Sequence, residues 1–405
     1  MIDEHDVREM LHRRANAVPT IVVYAPKAAR RARRRLLANG AVAMLTAAAI
    51  AGAAIAGIDA IRSAQQIPAD RPGPSPALGV LRANGEVLSF TGVPSEASGD
   101  LVAVNPETGE ERVLVEDLDL VHSARWSADG RWVAYETEAP EGIELWVVSA
   151  SQEPRLVATG GEPDVFKGFG LDWMWSPTGA ELATINDSTL STIDFVTGET
   201  TDLGSISSAS DDTSAWSWSP DGTWIAFGTQ GGAVHSLDLR TGERSLLVRL
   251  PRTALPSIWE VLWSPDGAHI ATVNQLEADG WRLYVMNADG SNVRVLADDF
   301  ERAGVAWSPD GTRLAYGEWS EPDGKVRIWV APLDGSAPAE IGSLGGSCRF
   351  FYKCDLTWSP DGSQIAVRTP QATAAFDADG SGDVEPIDEL TYRSWDGGSY
   401  SCECT

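Results

Sequence analysis

A five-residue phrase returns six times along this chain, and every return begins at a tryptophan. The copies read Trp126-Ser-Ala-Asp-Gly130, Trp175-Ser-Pro-Thr-Gly179, Trp218-Ser-Pro-Asp-Gly222, Trp263-Ser-Pro-Asp-Gly267, Trp307-Ser-Pro-Asp-Gly311 and Trp358-Ser-Pro-Asp-Gly362. Their Trp residues stand 49, 43, 45, 44 and 51 positions apart. A period of about 40–50 residues belongs to stacked units, either propeller blades or helical arrays. The content of one period decides between them. After Trp263 come His269–Val273, Trp281–Met286 and Val293–Leu296, short segments that alternate apolar and polar residues as half-buried strands do. The polar cluster Asn287–Asn292 joins two of them as a hairpin. Ser-Pro-Asp-Gly is itself a turn, with φ preset by Pro and positive φ tolerated by Gly. With the short segment that ends at the Trp, each period holds four antiparallel strands. Such a unit cannot cover its own apolar faces and must stack on neighbours, which radially gives an all-β propeller.

The Trp has two readings, a wedge between blades or a stacking platform for a ligand. Repetition favours the wedge, because a binding residue is needed once and a packing residue in every blade. Tyr135 in Trp132-Val-Ala-Tyr, Phe227 in Ile225-Ala-Phe and Tyr316 in Leu314-Ala-Tyr extend the phrase into a second strand. In these residues the chain resembles the TolB-like family of WD-related propeller repeats, over about residues 78–405. The second copy departs from that pattern at Thr178. Ahead of Trp126, Val87–Phe90, Leu101–Val104 and Arg112–Val115 read as three further strands, and a degraded phrase follows at Thr391-Tyr-Arg-Ser-Trp395. The two ends together supply a seventh blade, so seven blades are expected, with six as the alternative. Sharing a blade removes free sheet edges.

Residues 1–62 are of another kind. They carry ten Lys and Arg against five Asp and Glu, which leaves the remainder of the chain near −32 within a total of −27. The cluster Arg30–Arg35 precedes Gly40–Ile58, uncharged and Ala-rich, close to the ~20 residues that span a bilayer. The expected organisation is a basic cytoplasmic segment over 1–37, one transmembrane helix over 38–61, a Pro-rich spacer over 62–77 and the propeller over 78–405. The arginines predict a single-pass cell-membrane protein with its N-terminus inside and the propeller outside. A cleaved signal peptide and a buried soluble helix are the competing readings. A short inner segment, one span and an outer domain resemble membrane-bound anti-sigma factors, although their His/Cys zinc motif is missing here. That resemblance implies a cytoplasmic partner for residues 1–37. Heavy use of Ala, Arg and Gly suits a GC-rich bacterium.

All four cysteines, Cys348, Cys354, Cys402 and Cys404, fall on the expected outer side, where disulfides persist. Three pairings exist. A bond between Cys402 and Cys404 is disfavoured by its tight ring. Pairing the tail with the Cys348–Cys354 loop would clamp the last strand. The segment Asp377–Asp388 matches a calcium loop with donors at Asp377, Asp379, Ser381, Glu385 and Asp388. It also aligns with the hairpin turns of other blades, and a turn is the preferred reading, so no cofactor is expected and calcium is the alternative.

No nucleophile elbow, zinc helix or phosphate loop is present. His122, His235 and His269 fall at strands and read as facing a blade surface or solvent. The chain is therefore expected not to be an enzyme. Its acidity repels nucleic acid and anionic lipid. The leading expectation is a membrane-anchored binding or scaffold propeller for a protein, peptide or glycan. A transmembrane regulator, and a hydrolase or lyase in the channel, are the alternatives.

Overall fold

Alternating polarity and Gly-bearing turns produce the elements the repeat calls for. The computed structural model describes residues 85–401, apart from 92–97, 140–141, 161–171, 180, 187–188, 206–212, 230, 251–257, 276–279, 301, 321–323, 347–353, 370, 383 and 389–399. Every regular element among the described residues is a strand. All described residues fall in the unit Asp70–Thr405. The expected basic segment, transmembrane helix and Pro-rich spacer lie outside them, and no described helix is long and apolar enough to cross a membrane.

The strands form seven antiparallel sheets, here called blades I to VII. Blade I holds Val87–Phe90, Gly99–Val104 and Glu111–Leu118. Blade II runs Val121–Trp126, Trp132–Ala139, Gly142–Ser149 and Gln152–Gly160, and blade III runs Asp172–Trp175, Glu181–Asn186, Thr189–Asp194 and Thr200–Ser205. Blade IV spans Thr213–Trp218 to Arg244–Arg249, blade V Ile258–Trp263 to Arg294–Phe300, blade VI Arg302–Trp307 to Ala339–Gly345, and blade VII Asp355–Trp358 to Glu385–Pro386. The last strand of a blade forms the outer rim: Glu111–Leu118 and Arg244–Arg249 carry mostly exposed or half-buried residues. Second strands are the core, as in Trp132–Ala139 and His269–Gln275. The Trp-bearing first strand occupies the opposite edge and lines the centre.

Apolar clusters sit in the seams between consecutive blades. Leu88 and Leu101 of blade I pack with Trp126 and Tyr135 of blade II. Trp132 and Leu145 of blade II meet Trp173 and Phe195 of blade III. The same alternation continues through Phe227, Tyr284 and Tyr316 to Trp358. Two faces remain, one on blade I and one on blade VII. Val87, Val102 and Val104 are buried on the first, and Ala366 and Ala375 on the second. Burial of both is what closure of a seven-bladed ring requires.

Thr391–Trp395 lies outside the described residues. Tyr400–Ser401 forms a strand, but it pairs with Ala124 and Ser123 of blade II rather than completing blade I. The added strand covers the central edge of blade II, so that edge is not left open.

Candidate functional site

The six turns of the repeat are built alike, and they ring one mouth of the propeller. In five of them the Ser hydroxyl donates to the Asp carboxylate two residues on: Ser127 to Asp129 at 2.6 Å, Ser219 to Asp221 at 2.5 Å, Ser264 to Asp266 at 2.5 Å, Ser308 to Asp310 at 2.6 Å and Ser359 to Asp361 at 2.7 Å. The same carboxylate oxygen accepts the amide of the residue just before the strand that follows, as from Arg131 and Thr312. The Ser oxygen in turn accepts the amide of the first residue in that strand, as from Trp132 and Gln364. The closing Gly takes positive φ, +71° at Gly311, which only Gly adopts without strain. Blade III breaks the rule because Thr178 offers a hydroxyl, 3.1 Å from Ser176 Oγ, in place of a carboxylate.

Consecutive turns touch. A Cβ built on Gly311 would lie 2.6 Å from Asp266, and one on Gly267 would lie 3.3 Å from Pro220. The result is an acidic rim whose carboxylates are fixed by hydrogen bonds to Ser and to backbone amides. Those bonds hold Asp221 and Asp310 below the usual carboxylate range and Asp361 at about 2.

The repeat tryptophans lie in the seams. Trp126, Trp175, Trp218 and Trp358 are buried, and Trp263 and Trp307 are half-buried. Four of the indoles reach back across a seam. Trp175 Nε1 donates to Arg125 O at 3.0 Å, Trp218 to Met174 O at 3.3 Å, Trp307 to Leu262 O at 3.1 Å and Trp358 to Ala306 O at 3.1 Å. Each acceptor immediately precedes the repeat Trp of the preceding blade. Trp263 departs, donating to Gly267 O of its own turn, while its amide takes Ser217 Oγ across the seam. Trp395 lies outside the described residues.

Sequence reasoning missed one cluster. His122 is buried on the first strand of blade II, with Nε2 3.4 Å from Glu138 Oε1 on the second. Burial lowers its pKa against the opposing pull of Glu138. Asp119, in the loop before it, is raised by burial and by Asp117 and Glu138. On the neighbouring position Ser123 Oγ donates to Glu136, itself buried. His122 therefore does not face solvent. The signal available in the sequence was Asp119-x-x-His122 beside a strand bearing Glu136 and Glu138, but only strand pairing brings them together. His235 stacks on Phe227 at 5.4 Å within blade IV, and His269 of blade V stacks on Trp307 of blade VI at 6.3 Å across their seam.

The calcium-like segment is a hairpin turn. Gly380 N donates to Asp377 O, Asp377 Oδ1 accepts from Gln364 Nε2 at 3.1 Å, and Asp379 Oδ1 accepts the Ser381 amide at 2.9 Å. Glu385 lies on the short last strand of blade VII. Among the described residues no group of three or more His, Cys, Asp or Glu is placed to hold a metal ion, so Asp377, Asp379, Glu385 and Asp388 do not converge. Cys354 is buried at the entrance to blade VII. Cys348, Cys402 and Cys404 lie outside the described residues.

With the geometry in hand, likeness to known proteins can be read. The family model "WD domain, G-beta repeat" matches residues 302–330, the first strands of blade VI. The Tol-Pal system protein TolB of Rhizorhabdus wittichii is 31% identical over 72 residues, 15% of this chain and 16% of that protein. The chain spans between 13% and 16% of the length of three curated relatives that it matches. A solved "Oligogalacturonate lyase in complex with manganese" superposes with a TM-score of 0.53 at 16% identity, covering 76% of this chain and 88% of the lyase. A chain of the solved "Mitotic Checkpoint Complex" superposes at 0.50 with 15% identity, covering 87% and 100%. At such identities the likeness is one of fold. It nevertheless corrects the expectation that the chain is not an enzyme. That expectation rested on missing motifs, and solved lyases share this architecture. The repeated Trp-Ser-Pro-Asp-Gly seam and the seven sheets make this chain a β-propeller, and the short WD and TolB matches show what its repeats are similar to.

Proposed function

We propose that the propeller is a binding or scaffold module that presents its acidic turn rim to a basic protein or peptide. The observation that carries this reading is the rim itself: five carboxylates, each pinned by a Ser hydroxyl, with the turns of blades IV to VII touching in succession. Fixed anions need no ordering when a cationic partner arrives, and rigid scaffolds carry recognition on their loops. The test is capture by the full-length chain, in detergent, of partners from its own cell envelope, compared with a variant carrying Asp221→Asn, Asp310→Asn and Asp361→Asn. A partner retained equally by both would remove the rim from the reading.

On this reading residues 38–61 anchor the ring to the cell membrane, residues 1–37 lie in the cytoplasm and the ring lies outside. Its support is the run of arginines ahead of an uncharged Ala-rich stretch. Protease digestion of intact cells tests the orientation. Cysteine pairing belongs to the same reading, and its support is that no cysteine among the described residues is free. A transmembrane regulator remains the variant in which residues 1–37 hold a partner such as a sigma factor, and a pull-down with those residues tests it.

A second reading, a hydrolase or lyase, is favoured by the Asp119, His122 and Glu138 cluster. Perturbed titratable groups of this kind concentrate at functional sites. Turnover of acidic oligosaccharides by the purified chain, abolished in His122→Asn, would establish it. No turnover in either form would end it.

A further inference from the structure

On three blades the second and third strands place an aromatic pair side by side on the face turned to the preceding blade. Blade II sets Tyr135 opposite Trp146, blade IV Phe227 opposite His235, and blade VI Tyr316 opposite Trp329. The last two pairs are stacked, at 5.4 Å and 6.3 Å. Blade V has one ring, Tyr284 opposite Thr272. Blade VII has the small pair Val367 and Ala374, but Trp319 of blade VI packs into that seam. In blade III the pair is Thr184 and Ser191, two small hydroxyl residues, and among the described residues of blade II no ring lines the space they leave.

The space shows. A crevice of about 440 Å³ opens in this seam, lined by Leu156, Val157, Thr184, Ser191, Ile193 and Thr200. Pockets for small ligands run from about 300 to 1,000 Å³. No charged side chain lines it, in a chain with 58 acidic and 31 basic residues. Leu156 at its lip is 42% exposed, one of the few large apolar side chains so placed among the described residues. Counting Ala158 and Thr159, four of the lining residues carry hydroxyls and four are aliphatic, so the walls match a flat apolar body with a hydrogen-bonding edge.

We infer that this crevice is a binding site for an uncharged aromatic ring bearing a hydrogen-bonding group, a phenol or an indole, supplied from outside the seam. The ring takes the place that the propeller's own aromatic pair holds in blades II, IV and VI. The same chemistry reaches the site from a free small molecule or from a Tyr or Trp side chain of a peptide.

The experiment uses the full-length chain with indole and p-cresol as probes, read by ligand-detected NMR. A ring of this size in a half-open apolar site binds on the order of 1 mM. Benzoate, of similar shape but charged, is expected not to bind. Thr184→Tyr with Ser191→Trp rebuilds the pair found in blade II and is expected to abolish probe binding. If that variant does not fold, Leu156→Lys at the exposed lip is expected to weaken binding at least about tenfold. N-acetyltyrosinamide and a Tyr-containing tripeptide then distinguish the sources: tighter binding of the peptide indicates a side chain from a partner, and equal binding a free ligand. The inference is overturned if neither probe binds, or if both bind unchanged in the filled or lip variant.

Discussion

Replacing Trp358 by Phe isolates what a seam tryptophan contributes. The residue is 4% exposed, its Nε1 donates to Ala306 O at 3.1 Å, and the Arg313 guanidinium lies 4.7 Å over its ring. Phe keeps an aromatic body in the seam but removes the donor, with a net loss of about 1 kcal/mol. The smaller ring gives up buried area equivalent to about one CH₂, or about 0.8 kcal/mol. Phe holds the cation less well than Trp, a further loss of about 0.5 kcal/mol. Arg313 stays in position because its Nη2 also donates to Gly362 O at 2.9 Å. The expected loss is thus about 2 kcal/mol, against about 3–5 kcal/mol for Trp358→Ala, which also leaves a cavity. Equilibrium urea unfolding followed by circular dichroism measures it. Amide exchange at Trp307 reports whether the seam loosens first. A cycle with Arg313→Met is expected to return a coupling of about 0.5–1 kcal/mol. A loss under about 0.5 kcal/mol for Trp358→Phe, with unchanged exchange, would refute the claim that indoles fasten blade to blade.

Further expectations concern the turns and the buried histidine. Thr178→Asp restores the missing carboxylate beside Ser176 and is expected to stabilise the chain by about 0.5–1.5 kcal/mol, visible as a raised melting temperature. Gly290→Ala is expected to cost at least about 1–3 kcal/mol, because φ is +81° and the new Cβ would lie 2.4 Å from Leu247 O across the seam. His122 has a folded pKa below its unfolded value, so the unfolded state binds more protons in acid. Stability therefore falls as pH drops below about 6.5, and this slope should flatten in His122→Asn. Asp119 is shifted upward and acts in the opposite sense, so the difference between variant and parent is the quantity to measure across pH 4–8.

Much of the ring was legible because its information is local. A Trp, a Pro-Asp-Gly bend and a following Ile-Ala or Leu-Ala strand specify turn, register and seam within a dozen residues, and Thr178 already marked the one turn that closes differently. The hairpin form of the calcium-like segment was legible for the same reason, since its Asp-Gly matched other hairpins. What remained hidden depends on pairing across strands. Asp119, His122 and Glu138 meet only when the first two strands of blade II align. Thr184 and Ser191 look like ordinary strand residues until their partners in other blades are seen to be rings. The tail strand is a third case: Tyr400–Ser401 carries no repeat phrase, and its pairing with blade II follows from an open sheet edge rather than from side-chain pattern.

The four cross-seam indoles all point the same way, each toward the unit made before it. Assembly of the toroid therefore has a direction. A nascent blade presents a carbonyl that stays unanswered until its successor leaves the ribosome, so order accrues in the sequence of synthesis. An interruption after blade II, III, V or VI would strand one open acceptor at the growing end, which makes the unfinished end the sticky one.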